Sequence, residues 1–173
     1  MTADAARSPR LLPLHPAAEL SLAILVLSLA VIGGALAFQY WGGLVPCELC
    51  LAQRWPWYGA IPLAALFLAR RPPGVIAPAL FALIFLGSAG LAFYHAGVEQ
   101  HVFAGPTACT APKLTGSIEE MTKALMATPN VLCDQVQWSL FGISLAGWNL
   151  AASLVAVALS ARAWWRIARG ARA

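Results

Sequence analysis

Residues 20–38 form an unbroken apolar run without one charged side chain. At a rise of about 1.5 Å per residue, a helix of that length matches a hydrocarbon core roughly 30 Å thick. No other feature restricts the fold as strongly, because a segment in lipid must satisfy its backbone polar groups internally, which leaves helices or a closed barrel. Residues 75–94 and 141–161 repeat the uncharged pattern. A further run, 51–69, is less uniform: Gln53 and Arg54 sit in its first turn, and Pro56 and Pro62 interrupt it, which a packed membrane helix tolerates. Hydrophobic residues make up 60% of the 173 and charged residues only 10%, against about a quarter charged in a soluble domain. The expectation is an all-α membrane protein: one domain, a bundle of four transmembrane helices at about 20–38, 51–69, 75–94 and 141–161, with loops at about 39–50 and 95–140.

Arg7 and Arg10 precede the first run, as in a secretory signal. The run is longer than a signal core, however, and Phe38, Gln39, Tyr40 and Trp41 lack the small residues of a cleavage site, so it reads as a retained helix. Arg7, Arg10, Arg70, Arg71, Arg162, Arg166, Arg169 and Arg172 all fall on one side of this topology. Arg54, Lys113 and Lys123 fall on the other, among Glu48, Glu99, Glu119, Glu120 and Asp134. The positive-inside rule then puts both termini in the cytoplasm and both larger loops outside. Trp41, Trp55, Trp57, Tyr58 and Tyr94 cluster at the outer boundary, and Trp164 and Trp165 at the inner one, as an anchoring belt. The net charge of +4 reflects arginines at membrane boundaries, with no basic motif interleaved with aromatics, and no nucleic-acid partner is expected.

All four cysteines lie outside the membrane under this topology: Cys47 and Cys50 before the second run, Cys109 and Cys133 in the long loop. An even number confined to that side argues for two disulfides in an oxidising compartment. Zinc is the chemical rival, but structural zinc ribbons pair two close knuckles, and Cys109 and Cys133 are far apart in a proline-containing loop, so no metal is expected. Simple stapling is the other alternative. The bridge of a C-x-x-C pair closes so short a loop that it stabilises little, and such pairs are more often exchangeable. A structural disulfide below about −300 mV lies roughly 180 mV, or about 8 kcal/mol for two electrons, short of oxidising a carrier near −120 mV. An exchangeable pair here needs a stronger acceptor, and the membrane offers a quinone. Arg54 stands at i+4 from Cys50, so on a continuous helix its guanidinium shares a face with that sulfur. There it would favour the Cys50 thiolate and hydrogen-bond a quinone carbonyl; snorkelling to head groups is its alternative role.

The string Pro46-Cys47-Glu48-Leu49-Cys50-Leu51-Ala52-Gln53-Arg54 resembles the signature of the DsbB family, the bacterial inner-membrane thiol:quinone oxidoreductases that re-oxidise the periplasmic disulfide donor DsbA. The similarity continues in Tyr94-His95-Ala96-Gly97-Val98-Glu99, in Gly105-Pro106-Thr107-Ala108-Cys109-Thr110, and in Cys133-Asp134 ahead of Trp138-Ser139-Leu140-Phe141-Gly142-Ile143-Ser144, and it covers most of residues 20–159. The resemblance implies that Cys109 is attacked by the thiolate of a DsbA-like partner, with Cys133 as its pair. It implies that Cys47 exchanges with the second-loop cysteines, and that Cys50 faces ubiquinone or menaquinone with Arg54 beside it. His95, where the third run meets the outer surface, is a candidate to donate a hydrogen bond or relay a proton near the quinone head group. Glu99 reads as a solvated loop acid able at most to orient His95; His15, His101 and Glu48 carry no persuasive signal.

Leu114, Ile118, Met121, Leu125 and Met126 recur at helical spacing after Thr115-Gly116. They predict a short amphipathic helix in the second periplasmic loop, lying on the membrane or docking a partner. Two other readings compete. A vitamin K epoxide reductase-like enzyme also uses cysteine pairs on a four-helix membrane scaffold, but there the quinone-facing C-x-x-C comes late in the helical core. A non-enzymatic scaffold stapled by disulfides is the second. The chain has no Walker motif, metalloprotease motif or nucleophile elbow.

Overall fold

The computed structural model describes residues 15–70, 74–106, 109, 117–127 and 131–171. Arg7, Arg10, Arg71 and Arg172, and residues 114–116 of the expected loop helix, lie outside them. The described part is mostly helical, in the order α1 (Pro16–Tyr40), α2 (Glu48–Ala52), α3 (Trp55–Arg70), α4 (Ile76–Glu99), α5 (Ile118–Ala127) and α6 (Leu145–Gly170), with a small hairpin, β1 (Ser139–Leu140) and β2 (Ile143–Ser144), before α6.

Three of these helices, α1, α4 and α6, are long and apolar enough to cross a membrane. Only 28%, 39% and 22% of their most apolar windows is buried inside the protein. The remainder, including Leu22, Val26 and Leu29 on α1, Leu83 and Leu86 on α4, and Leu154 and Val155 on α6, faces outward. So large an apolar exterior fits lipid and not water.

Helix ends follow local chemistry. His15, without a role in the sequence reading, caps α1: its Nδ1 accepts the Ala17 N–H at 3.3 Å, with Pro16 in the first turn, where a missing N–H costs nothing. After α1, Gly42 packs so closely that a Cβ there would lie 2.6 Å from the Phe38 carbonyl oxygen, and the chain turns back toward Cys47. The continuous helix expected over 51–69 is instead two pieces, α2 and α3, separated at Gln53 and Arg54. Pro56 has no N–H to offer the Ala52 carbonyl, and the Arg54 N–H closes a tighter turn on Leu51 O at 3.1 Å. The last apolar run also starts later than expected. Phe141 and Gly142 both adopt positive φ (52° and 78°), the geometry of a two-residue hairpin turn, and Ser144 then caps α6 by accepting the Gly147 N–H at 3.2 Å. The α5 helix begins on a reciprocal capping box, Ser117 N–H to Glu120 Oε2 at 2.9 Å and Glu120 N–H to Ser117 Oγ at 3.3 Å, a serine-to-glutamate signature that the sequence reading passed over for Thr115-Gly116.

Small residues let the helices approach closely, as is usual in lipid. Ala60 and Ala64 of α3, Ala77, Ala89 and Ala92 of α4, and Ala156 and Ala163 of α6 are all buried. Ser88 of α4 and Ser153 of α6 hydrogen-bond across the interface at 2.9 Å. Aromatic contacts complete this core, with Trp57 against Phe85 at 4.7 Å and Phe67 against Phe81 at 5.6 Å between ring centres. At one end of the bundle Arg166 pairs with Glu19. At the opposite end the close of α1, the whole of α2, the close of α4 and the start of α6 converge.

Candidate active site

Cys47 is the N-cap of α2, and its sulfur accepts the Cys50 N–H at 3.2 Å. The helical turn of a C-x-x-C segment brings the second sulfur over the first, and the two lie 2.9 Å apart and unbonded. This arrangement separates their acidities. The Cys50 thiol donates to Cys47, and that bond above all pulls Cys47 down to about 4; burial opposes the shift, while His95 and the Cys50 N–H reinforce it. Cys50 moves upward, first because its proton is held by Cys47 and then because it is buried. The thiolate expected at Cys50 therefore sits at Cys47. The reason is that the N-cap position, not the helix interior, collects the donors.

Cys109 and Cys133 form a disulfide, with Cα atoms 5.3 Å apart, and the Cys133 N–H reaches Cys109 O at 2.6 Å. Both are buried, as is Cys47. The sulfurs of Cys47, Cys109 and Cys133 all lie within 4.8 Å of one another, so the two loops bring their cysteine pairs into contact. Cys47, Cys50 and His95 also hold three ligand atoms within 4.8 Å of one another.

His95 is 2% exposed. Its Nε2 lies 3.6 Å from the Cys47 sulfur and its Nδ1 2.6 Å from Gln53 Nε2. Gln53 Oε1 accepts from Asn149 Nδ2 at 2.6 Å, and Asn149 Oδ1 accepts the indole N–H of Trp57 at 2.7 Å. Trp57 is 1% exposed and belongs to this network, not to the interfacial belt in which the sequence reading put it. Trp41 and Trp55, at 91% and 74% exposed, suit the belt. Glu99 is likewise no solvated loop acid. It is the last residue of α4, its side chain is 6% exposed, it accepts from Ser144 Oγ, and its Oε1 lies 4.0 Å from His95 Nε2.

A cavity of about 240 Å³ opens beside the dithiol, between α1, α3 and α6. Ala30, Val31, Gly34, Ala35, Phe38, Trp138 and Trp148 supply apolar walls, and Cys50, Gln39, Arg54 and His95 line it as well. Trp138 of the second loop packs on Phe38 at 4.6 Å between ring centres, so that loop helps form the wall. Arg54 donates to Gln39 Oε1 at 2.7 Å, which ties the α2–α3 break to the end of α1. It shares the cavity with Cys50 although the two are not on one continuous helix. The donor set and the flat, apolar walls fit a planar ring bearing carbonyl oxygens.

Fold and site together define a multi-pass helical membrane protein in which a C-x-x-C dithiol is packed against a second, disulfide-bonded cysteine pair. Residues 17–163 match the family model described as "Disulfide bond formation protein DsbB". The chain is 32% identical over 143 residues to Disulfide bond formation protein B of Hahella chejuensis (strain KCTC 2396), an overlap of 79% of this chain and 86% of that protein. It is 29% identical over 151 residues to the protein of the same name from Methylococcus capsulatus (strain ATCC 33009 / NCIMB 11132 / Bath), covering 81% and 89%. No solved structure matches it. The chain belongs to the DsbB family and is an oxidoreductase of membrane disulfide bond formation.

Proposed function

We propose that the chain re-oxidises a DsbA-like thioredoxin-fold dithiol in the periplasm and passes the electrons to ubiquinone or menaquinone in the inner membrane. In this reading α2 and α3 together make a second crossing, between α1 and α4, and bring the number of crossings to four; both termini are cytoplasmic, and α5 lays Ile118 and Met126, 78% and 85% exposed, on the outer membrane surface or a partner. The observation that carries the reading is the contact of Cys47 with the Cys109–Cys133 disulfide on one side, while Cys50 opens on the apolar cavity on the other.

The partner's thiolate attacks Cys109, forming a mixed disulfide and releasing Cys133 as thiolate. The partner's second thiol resolves that bond and leaves Cys109 and Cys133 reduced. Their exchange with an oxidised Cys47–Cys50 pair, through Cys47, regenerates the second-loop disulfide and leaves Cys47 and Cys50 as the dithiol. Closing that bond again releases two electrons and the one proton held by Cys50, and with a second proton taken from water these reduce a quinone to a quinol. Arg54 binds a carbonyl oxygen of the ring, and the walls exclude water.

The test is quinone reduction by the purified full-length protein in detergent on adding a reduced thioredoxin-fold dithiol. Turnover that Cys109→Ser abolishes supports this path. Absence of turnover with either quinone class, with both cysteine pairs inert to the dithiol, returns the chain to a stapled scaffold. Arg54→Met removes a charged donor whose hydrogen bond is worth about 1.5–3 kcal/mol. It should raise the apparent KM for quinone by about 10- to 150-fold while leaving exchange with the dithiol unchanged; an unaltered KM would leave Arg54 only its bond to Gln39.

A further inference from the structure

The hydrogen bonds that converge on His95 have a direction, and one atom sets it. An indole N–H only donates. Trp57 therefore fixes the carbonyl oxygen of Asn149 toward itself, which turns the Asn149 amide nitrogen toward Gln53 and obliges Gln53 to receive it on Oε1. The remaining end of Gln53 is its NH₂, and it faces His95 Nδ1 at 2.6 Å. A donor at that distance leaves Nδ1 only the role of acceptor, so the ring hydrogen stands on Nε2, the nitrogen 3.6 Å from the Cys47 sulfur. Reversing any one link sets two donors or two acceptors face to face in a buried site, where an unmade bond costs its full desolvation.

We infer that Trp57, Asn149 and Gln53 are positioning residues that hold the His95 hydrogen on Nε2, aimed at the sulfur of Cys47. The three come from both sides of the bundle: Gln53 and Trp57 from the start of the second crossing, Asn149 from α6. His95 thus presents to the thiolate a fixed hydrogen-bond donor, its Nε2–H, while its Nδ1 is taken up by the Gln53 NH₂. The other titratable groups around Cys47 are Cys50 on α2 and Glu99 on α4, with Arg54 in the same cavity and the second-loop pair already oxidised. Of these only Cys50 and His95 give the sulfur a hydrogen bond. The inference takes its catalytic meaning from the proposed exchange at Cys47, but its test needs neither quinone nor partner, so the two fail separately.

The test uses the reduced full-length protein in detergent, labelled with ¹⁵N-histidine, the His95 signals being assigned by their loss in His95→Asn. The native protein should show His95 hydrogenated at Nε2 alone. Trp57→Phe keeps the ring against Phe85 and removes only the N–H, and should give a mixture of tautomers. Gln53→Glu, nearly isosteric, offers only acceptors and should move the hydrogen to Nδ1 or add one there. In parallel, the pH dependence of Cys47 alkylation, mapped by mass spectrometry, should shift upward by about one unit in Trp57→Phe, a tenfold loss of thiolate below the midpoint. Hydrogen on Nδ1 in the native protein overturns the inference without any variant. So do unchanged nitrogen shifts and an unchanged Cys47 midpoint in both substituted proteins.

Discussion

Cys50→Ser is expected to abolish dithiol-driven quinone reduction, by about 10³-fold or more as for other lost nucleophiles, while leaving the protein able to exchange with a thiol partner. The asymmetry follows from the site. The Cys109–Cys133 disulfide does not involve Cys50, so the substitution leaves the proposed entry of electrons unaffected. Without Cys50, Cys47 has no partner with which to close a disulfide beside the cavity. Its sulfur still lies within 4.8 Å of Cys109 and Cys133, and as a thiolate it attacks their disulfide, forming one S–S bond and releasing one thiolate. A covalent link between Cys47 and one of the second-loop cysteines should therefore accumulate, visible as a disulfide-linked peptide pair after digestion in acid. Cys50→Ser protein that still reduces quinone would place the acceptor beside another cysteine. Protein that loses activity without forming the link would show that Cys47 does not exchange with the second loop.

How much of this was legible beforehand differs by kind of information. The three long helices follow from uncharged apolar runs, since lipid permits few alternatives to a helix. The cysteines, Arg54 and His95 stood out because reactive or polar residues at a membrane edge need a reason to be there. What local pattern concealed is pairing across the chain. Gln53 meets His95 and Asn149, separated from it by 42 and 96 residues, and Trp57 meets Asn149 at a separation of 92; no periodicity encodes such contacts. Trp57 looked like one more boundary aromatic, and Glu99 like an ordinary loop acid, because α4 runs five residues beyond Tyr94 and carries Glu99 inside. One signal was available and unused: Asn149 is the lone carboxamide within the apolar run 141–161, and a polar group at that depth is a functional candidate by default. The placement of the thiolate was misread for a related reason. Counting i+4 from Cys50 assumes a helix through Arg54, whereas the first piece ends at Ala52, and it is Cys47, as its N-cap, that collects the donors.

Alkylation of Cys47 in the reduced protein should stay nearly constant from pH 8 to pH 5 and fall only as the pH passes about 4, because the sulfur is held as thiolate down to that value. In the unfolded chain the same thiol ionises near 9.0, so its reactivity drops about tenfold per unit below that pH. A depressed pKa stabilises the reduced, ionised state at every pH above the folded value, and the gain is lost as the pH falls through about 4. At pH 7, well above that value, the shift favours the dithiol, which makes the first pair a better oxidant than a structural staple. Because Cys47 is already ionised and Cys50 keeps its proton, closing the disulfide releases one proton for two electrons. The midpoint potential of the pair should therefore change by about 30 mV per pH unit between pH 5 and 8, where two ordinary thiols would give about 59 mV. A slope of about 59 mV in equilibrium titrations against a thiol redox buffer would mean that Cys47 is protonated at neutral pH and that its place at the cap of α2 does not tune the exchange.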